Sequence, residues 1–287
     1  MKKVYLSGAT GFVGSHLKNR MEALGWEVKA LERKDFAAGP DYLRMLIDGC
    51  NAVIHLAGAP IARRWSQKVK REIHDSRIQT TRALSEAICR CVNQPQVFVS
   101  ASAVGIYESF GIHDEDSTAL AQDFLGKLCM DWEAAAQLAQ TCTRVVNPRI
   151  GLVLGKDGGL MARQLPFFKL GLGGPMGSGK QGFPFIHIHD LCSALIYVID
   201  NTEFRGPVNM VAPQMVDNRS FAHALGRLLN KPAFLTVPVF ALRWIFGQGA
   251  EALANGQFVR PAKLISSGFK FKYPELKDAL SNLILNR

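Results

Sequence analysis

Apolar positions in the first half of the chain fall into short runs, separated by longer stretches where apolar and polar residues alternate at helical spacing. Val4–Ser7, Glu27–Leu31, Ala52–Ala57, Val97–Ser102 and Thr143–Pro148 have the length and the β-branched or apolar content of strands. Between them, Ser15–Leu24, Val69–Arg90 and Asp131–Gln140 read as helices. Strands interleaved with helices predict an α/β fold, a Rossmann-type doubly wound parallel sheet covered on both faces. After Pro148 the pattern loosens into glycine-rich loops at Gly155–Gly159 and Gly171–Gly182, which are expected to line a pocket. It resumes with a strand at Val208–Val211, a helix at Ser220–Leu229 and a terminal region from Val239. The expected division is a nucleotide-binding domain over 1–165 with a returning segment near 183–212, a substrate-side region over 166–238 and a small C-terminal domain over 239–287.

One junction carries chemistry of its own. Gly8, Gly11 and Gly14 lie between the first strand and the first helix. A strand turning straight into a helix needs a tight turn, and a pyrophosphate needs backbone N–H groups with no Cβ in the way. The helix N-terminus adds partial positive charge. This spacing therefore predicts a dinucleotide site.

Composition narrows the class. The chain of 287 residues is 48% hydrophobic and 20% charged, as expected for a folded protein with a sizeable core. Its net charge is +10, but the densest basic stretch, Arg63, Arg64, Lys68, Lys70 and Arg71, is broken by apolar and acidic residues. A solvated helix face or attraction of a phosphate-bearing ligand accounts for that pattern, so no nucleic-acid partner is expected. Pro238 and Arg243 interrupt the most apolar window, Phe234 to Phe246, which falls short of the roughly 18 to 20 residues that span a bilayer. No membrane partner is expected either. The six cysteines, Cys50, Cys89, Cys91, Cys129, Cys142 and Cys192, show no CxxC pair and no disulfide framework, so reduced thiols and a cytoplasmic location are predicted. Met1-Lys2-Lys3 leads directly into the first strand and reads as the start of the fold rather than a signal peptide.

Four ordered landmarks give the chain a family likeness. The GxxGxxG spacing, His55-Leu56-Ala57-Gly58, Ser100-Ala101-Ser102-Ala103-Val104 and Phe185-Ile186-His187-Ile188-His189-Asp190 resemble the extended short-chain dehydrogenase/reductase superfamily. Trp65 with Asp75-Ser76-Arg77-Ile78, the run Cys129-Met130-Asp131-Trp132-Glu133 and the tail Gly268 to Pro274 resemble its atypical "epimerase family protein" subgroup, which is nucleotide-sugar epimerase-like. Some members of that subgroup carry a cell-division-inhibitor label. The resemblance runs essentially end to end. It implies that Gly8, Thr10, Gly11, Phe12, Val13 and Gly14 surround the pyrophosphate, that Leu56, Ala57 and Gly58 lie along the adenine-ribose side, and that Ser100 and Ala101 also border the cofactor. Arg33, just after the second strand, suits the 2′-phosphate of NADP by a charge-assisted contact, while Glu32 and Asp35 leave NAD open.

The superfamily's usual Tyr and Lys, four residues apart, are missing. Aligned through Glu133, the Tyr position falls on Leu125 and the Lys position on Cys129. Ser102 retains the serine position, and Tyr107 is the nearest phenol, although it has no lysine at the matching spacing. These two are the catalytic candidates, with a rearranged set using Lys127 or Cys129 as a further arrangement. Arg149 and His187 are expected on the substrate side, Arg149 alternatively as a buried ion-pair partner and His187 alternatively as a loop brace. His187 and His189 would share one face of a strand, but no further ligand completes a metal site. Two readings remain open. One is an NAD(P)-dependent oxidoreductase or epimerase acting on a small or nucleotide-linked substrate, with Arg63, Arg64, Arg163 and Lys180 available to phosphates; the other is a catalytically silent NADP(H)-binding sensor or regulator. The resemblance also allows a homodimer.

Overall fold

A computed structural model describes residues 1–250 and 255–285. Its central sheet is built from β1 (Lys3–Ser7), β2 (Glu27–Leu31), β3 (Ala52–His55), β4 (Val97–Ser100), β5 (Ser102–Ala103), β7 (Arg144–Ile150) and β10 (Gly206–Met210). All pairings in it are parallel, in the order β10-β7-β4-β3-β1-β2, with β5 beside the end of β7. The chain steps from β1 outward to β2, then returns to lay β3 on the other side of β1. A crevice opens at such a reversal, beyond the strands' C-terminal ends.

The sheet is buried because helices cover both faces. Val4, Leu6, Val97 and Val99 pack against α1 (Phe12–Ala23) and α7 (Ile188–Asp200). Tyr5, Val53, Phe98 and Val145 pack against α3 (Pro40–Ile47), α4 (Gln67–Arg90) and α5 (Phe124–Gln137). This alternation along each strand is the period of two that a sheet covered on both sides requires. A second core joins Leu154 of β8 (Leu152–Leu154) and Phe185 of β9 (Phe185–His187) to α6 (Gly159–Lys169), α8 (Asn218–Leu228) and the terminal helix Leu276–Leu285. The predicted α/β class and parallel sheet are therefore present.

Several local expectations change. Helix α5 begins at Phe124, well before Asp131, because the Asp123 side chain caps it by accepting the Gly126 N–H at 2.8 Å. Helices α3, α6 and α7 and the short α2 (Arg33–Ala37) lie outside the elements expected from the chain's pattern. The histidine segment is not one continuous strand: β9 ends at His187, which becomes the N-cap of α7, and its Nδ1 accepts the His189 N–H at 3.0 Å. The expectation of six reduced thiols is also corrected, since Cys89 is disulfide-bonded to Cys142 while Cys50, Cys91, Cys129 and Cys192 are free and buried. The packing of α4 against α5 brings the two bonded residues to a Cα separation of 5.3 Å, although they lie 53 residues apart in sequence. Within the expected C-terminal domain, residues 251–254 and 286–287 lie outside the described residues.

Candidate functional site

The crevice is made mostly of backbone. Gly8 leaves β1 with φ +75°, and a Cβ there would stand 2.9 Å from Ala57 N and Leu56 C. A side chain would thus drive the β1 and β3 ends apart. Gly14 is tighter still: its Cβ would lie 2.0 Å from Gly8 O. Helix α1 consequently starts in backbone contact with the turn, and the turn closes through a Gly11 N–H to Gly8 O hydrogen bond of 3.0 Å. Gly11 is the N-cap, no side chain caps the helix, and no acidic residue stands in its first turn. The N–H groups of Phe12, Val13 and Gly14 have no acceptor within the helix, which suits a pyrophosphate. Thr10 and Gly11 are exposed at the rim. The Phe12 ring faces elsewhere, packing against Gly155, Gly158 and Gly159 and holding their loop over the helix start.

Below this rim a polar chain fixes the floor. Burial pulls His55 down to about 3, so the ring is neutral. Thr80 Oγ1 donates to Ser76 O at 2.9 Å, so it accepts from His55 Nε2 at 3.0 Å, and His55 Nδ1 in turn accepts from Ser7 Oγ at 2.5 Å. Ser7 Oγ is then left to accept the Ala57 N–H, at 3.4 Å. The ends of β1 and β3 are joined to α4 through one neutral imidazole. Ser100 and Ala101 lie behind the rim, both buried, and the Ser100 hydroxyl has no partner among the described residues.

Just after β2 the charges near Arg33 are already sorted. Lys34 pairs with Glu32 at 3.0 Å, and Asp35 is buried, accepting the Glu32 N–H at 2.7 Å as part of a capping box. Arg33 is exposed and has no ion pair among the described residues.

A cleft of about 400 Å³ adjoins the crevice. Its walls include Ile61, Val104, Leu125, Leu128, Trp132 and Ile150, and Asn255 and Gln257 stand on the far side. Among the described residues none of its lining comes from 166–238, and the C-terminal segment contributes Asn255 and Gln257. The loop over 171–182 packs on neighbouring chain, with Met176 paired to Val237 and Gly182 to Asp217, and borders a separate hollow of about 70 Å³. Leu125 does face the cleft, at the position where the superfamily resemblance puts a tyrosine. Cys129 lies beside it, its thiol pushed up to about 12 by burial and therefore protonated at neutral pH. Lys127 is exposed and is not among the cleft's lining residues.

The two catalytic candidates are tied into one buried network. Ser102 Oγ donates to Glu133 Oε1 at 2.7 Å. Arg149 binds both oxygens of Glu133, Nε to Oε1 at 2.8 Å and Nη2 to Oε2 at 2.9 Å. Its remaining Nη1 donates to the Tyr107 hydroxyl at 2.7 Å, which itself donates to Asn209 Oδ1 at 2.8 Å. Asn209 continues to Arg260 O through Nδ2 and receives a second anchor from Glu115, whose carboxylate accepts the Asn209 N–H. Tyr107 is fully buried, and burial raises its pKa, so the phenol stays protonated. Both hydroxyls are engaged within the protein. Arg149 and Glu133 thus form a buried ion pair.

His187 is not among the residues lining the cleft. It is buried, its Nε2 lies 3.1 Å from Asn282 Oδ1, and its ring lies 4.1 Å from that of Tyr273. Asp190 accepts the N–H groups of Lys272 and Tyr273 at 3.0 and 2.8 Å, clamping the same C-terminal segment. Among the described residues no group of three His, Cys, Asp or Glu converges as metal ligands. The proposed phosphate-facing cations are partly committed as well, since Arg63 pairs with Glu72 at 2.5 Å and Arg163 donates to Ala62 O at 2.6 Å.

One residue of the site escaped sequence reasoning as a functional candidate. Arg77, on α4, lines the cleft and is buried, with Nη1 donating to Ala59 O and Ile73 O at 3.1 and 3.0 Å. Its only sequence signal was membership of the Asp75-Ser76-Arg77-Ile78 run.

The sheet order, the glycine turn and the crevice at the β1/β3 reversal define a Rossmann-type protein of the extended short-chain dehydrogenase/reductase class. More particularly, the chain belongs to the NAD dependent epimerase/dehydratase family, which residues 4–211 match, while residues 237–283 match a domain of unknown function, DUF1731. It is 39% identical to the chloroplastic epimerase family protein SDR39U1 homolog of Arabidopsis thaliana, over 96% of this chain and 85% of that one. Human epimerase family protein SDR39U1 is 37% identical over 98% of this chain and 99% of its own. A crystal structure of human SDR39U1 (isoform2) with NADPH has a TM-score of 0.92 at 36% identity, covering 99% of this chain and all of that one (100%). Among the described residues no helix is long and apolar enough to cross a membrane.

Proposed function

We propose that the protein is an NADP(H)-dependent oxidoreductase or epimerase-like enzyme acting on a small carbonyl or hydroxyl compound held in the cleft. The observation that carries this reading is the adjacency of a backbone crevice shaped for a dinucleotide and a mostly apolar cleft of small-molecule size. Gly8, Thr10, Gly11, Phe12, Val13 and Gly14 would hold the pyrophosphate, and Leu56, Ala57 and Gly58 the adenine-ribose side, with Ser100 and Ala101 behind them. The uncommitted Arg33 favours NADP over NAD, and the NADPH carried by the related human protein agrees. Of the two substrate classes, the cleft favours the small one. Its described lining holds a single cation, Arg77, against Glu108 and Asp123, and a diphosphate would meet net like charge there.

A bound nicotinamide supplies hydride exchange, and the chain's own residues orient the partners and exclude water. Ser102, Glu133 and Arg149 beneath the cleft and Tyr107 on its wall hold the β5 and β7 ends rigid through bonds to one another, so their part is positional. Leu125 and Cys129 present no acid or base at neutral pH, and proton exchange would therefore fall to water entering the cleft or to the Glu108 carboxylate on its wall.

The same engaged hydroxyls favour a second reading, an NADP(H)-binding sensor without turnover. Purified protein titrated with NADPH, then mixed with a panel of small aldehydes, ketones, quinones and nucleotide sugars, separates the two. Loss of nicotinamide absorbance with a carbonyl compound supports the enzyme. Binding that raises the melting temperature but leaves NADPH unchanged across the panel supports the sensor. No binding at all rejects both.

A further inference from the structure

A guanidinium taken out of water normally finds an anion or a full set of acceptors. Arg77 has neither. It is 7% exposed, and among the described residues only its Nη1 has acceptors, while Nε is buried with no partner. No carboxylate pairs with it among the described residues, and burial draws its pKa down to about 10. Its flat face lies against Trp132, 5.1 Å from the ring centroid, which fixes the direction of the head group without neutralising it.

Its location is specific. A Cβ on Gly58 would stand 2.8 Å from Arg77 Cζ, so the guanidinium touches the chain exactly where β3 delivers the crevice rim. The same side chain lines the cleft beside Cys129. Gly58 ends the Leu56–Gly58 rim and Ile61, three residues on, already lines the cleft, so Arg77 is the charge at the junction of the two, where the inner half of a dinucleotide passes from one to the other. By the superfamily resemblance α5 brings a lysine to this neighbourhood at the position of Cys129, whose thiol is uncharged here.

We propose that Arg77 supplies from α4 the positive charge missing from α5, and binds oxygens of the nicotinamide half of the dinucleotide: the ribose hydroxyls and the adjoining phosphate. This inference rests on the crevice being an NADP(H) site. Gly58 then has a second reason to lack a side chain, because any Cβ would displace the guanidinium from the rim.

The test uses the full chain and two ligands, NADPH and adenosine 2′,5′-bisphosphate, which lacks the nicotinamide half. Calorimetric titration compares wild type with Arg77→Met, Arg77→Gln and Arg77→Lys, each checked for native circular dichroism. Loss of a charged hydrogen-bonding group should weaken NADPH binding by about tenfold or more in Arg77→Met, while adenosine 2′,5′-bisphosphate changes by less than about twofold. Arg77→Lys should recover part of the loss. Arg77→Gln, which keeps hydrogen-bonding capacity toward the Ala59 and Ile73 carbonyls without charge, should behave like Arg77→Met and serves if the latter does not fold. Equal weakening of both ligands, or unchanged NADPH binding, overturns the proposal and leaves Arg77 a structural residue. Wild-type protein that binds neither ligand overturns the nucleotide-site reading, and this inference with it.

Discussion

Two neighbouring regions at the C-terminal edge of one sheet are built on opposite principles. In the crevice the decisive feature is missing side-chain atoms: Gly8 and Gly14 have no room for a Cβ, and the first turn of α1 presents bare N–H groups. At the floor and wall of the cleft the decisive feature is side chains, with Ser102, Glu133, Arg149, Tyr107 and Asn209 joined from four separate stretches of chain. The first arrangement is local and binds through the backbone. The second is long-range, and its polar atoms are spent on one another.

That contrast can be broken most forcefully at Glu133. Glu133→Ala leaves the Arg149 guanidinium buried without its partner and should cost about 3 kcal/mol or more of stability. Urea unfolding measures the loss, and NADPH affinity of the remaining folded protein should be unaltered. A large change in affinity with little change in stability would place Glu133 in ligand binding and erase the distinction.

Gly14→Ala tests the other side. Its new methyl would meet the Gly8 backbone, which cannot rotate away, so we expect a loss of about 2 to 3 kcal/mol together with loss of NADPH binding. Gly11→Ala should be milder in stability, since its nearest conflict is Gly8 O at 3.2 Å. If Gly14→Ala melts and binds like wild type, helix α1 does not sit on the turn as described.

The polar floor between the regions has a pH signature. His55 titrates near 6.5 in the unfolded chain and is held at about 3 when folded. Below pH 6.5 the unfolded chain therefore takes up a proton that the folded protein refuses, and stability falls as pH drops toward 3. Between pH 7 and pH 5 this amounts to about 2 kcal/mol, with no contribution from His55 above pH 7. His187, held at about 4 mainly by burial, adds to the same decline. Unfolding titrations at the two pH values check it, and a flat profile would mean that neither ring is buried neutral.

The smallest effect on stability is expected at the rim. Arg33→Asp should leave the melting temperature nearly unchanged, because the side chain is exposed and unpaired among the described residues. It should nevertheless move preference from NADPH toward NADH in competitive titration. Identical discrimination before and after would remove Arg33 from cofactor selection.

The two regions also differ in how far they could be read from the chain. The glycine spacing and the strand before it announced the crevice, because a turn with no room for side chains is written in consecutive residues. Arg33 was noticed for the same local reason. The engagement of Ser102 was not visible, since its partner Glu133 lies 31 positions away and Arg149 a further 16. His187 looked like half of an alternating histidine pair until the strand ended at that very residue and a helix began. Arg77 looked like one basic residue among many on a long helix, and only packing against Gly58 and Trp132 distinguishes it.

The amino-acid order alone determined the alternating α/β architecture, the glycine turn and the absence of tyrosine and lysine from their familiar positions, because each is a statement about near neighbours. Which hydroxyls remain free, which arginine lacks a counter-ion, which wall closes the cleft and which cysteines meet were decided only in three dimensions. Burial and hydrogen-bond partnership depend on residues that the chain keeps far apart until the sheet brings them together.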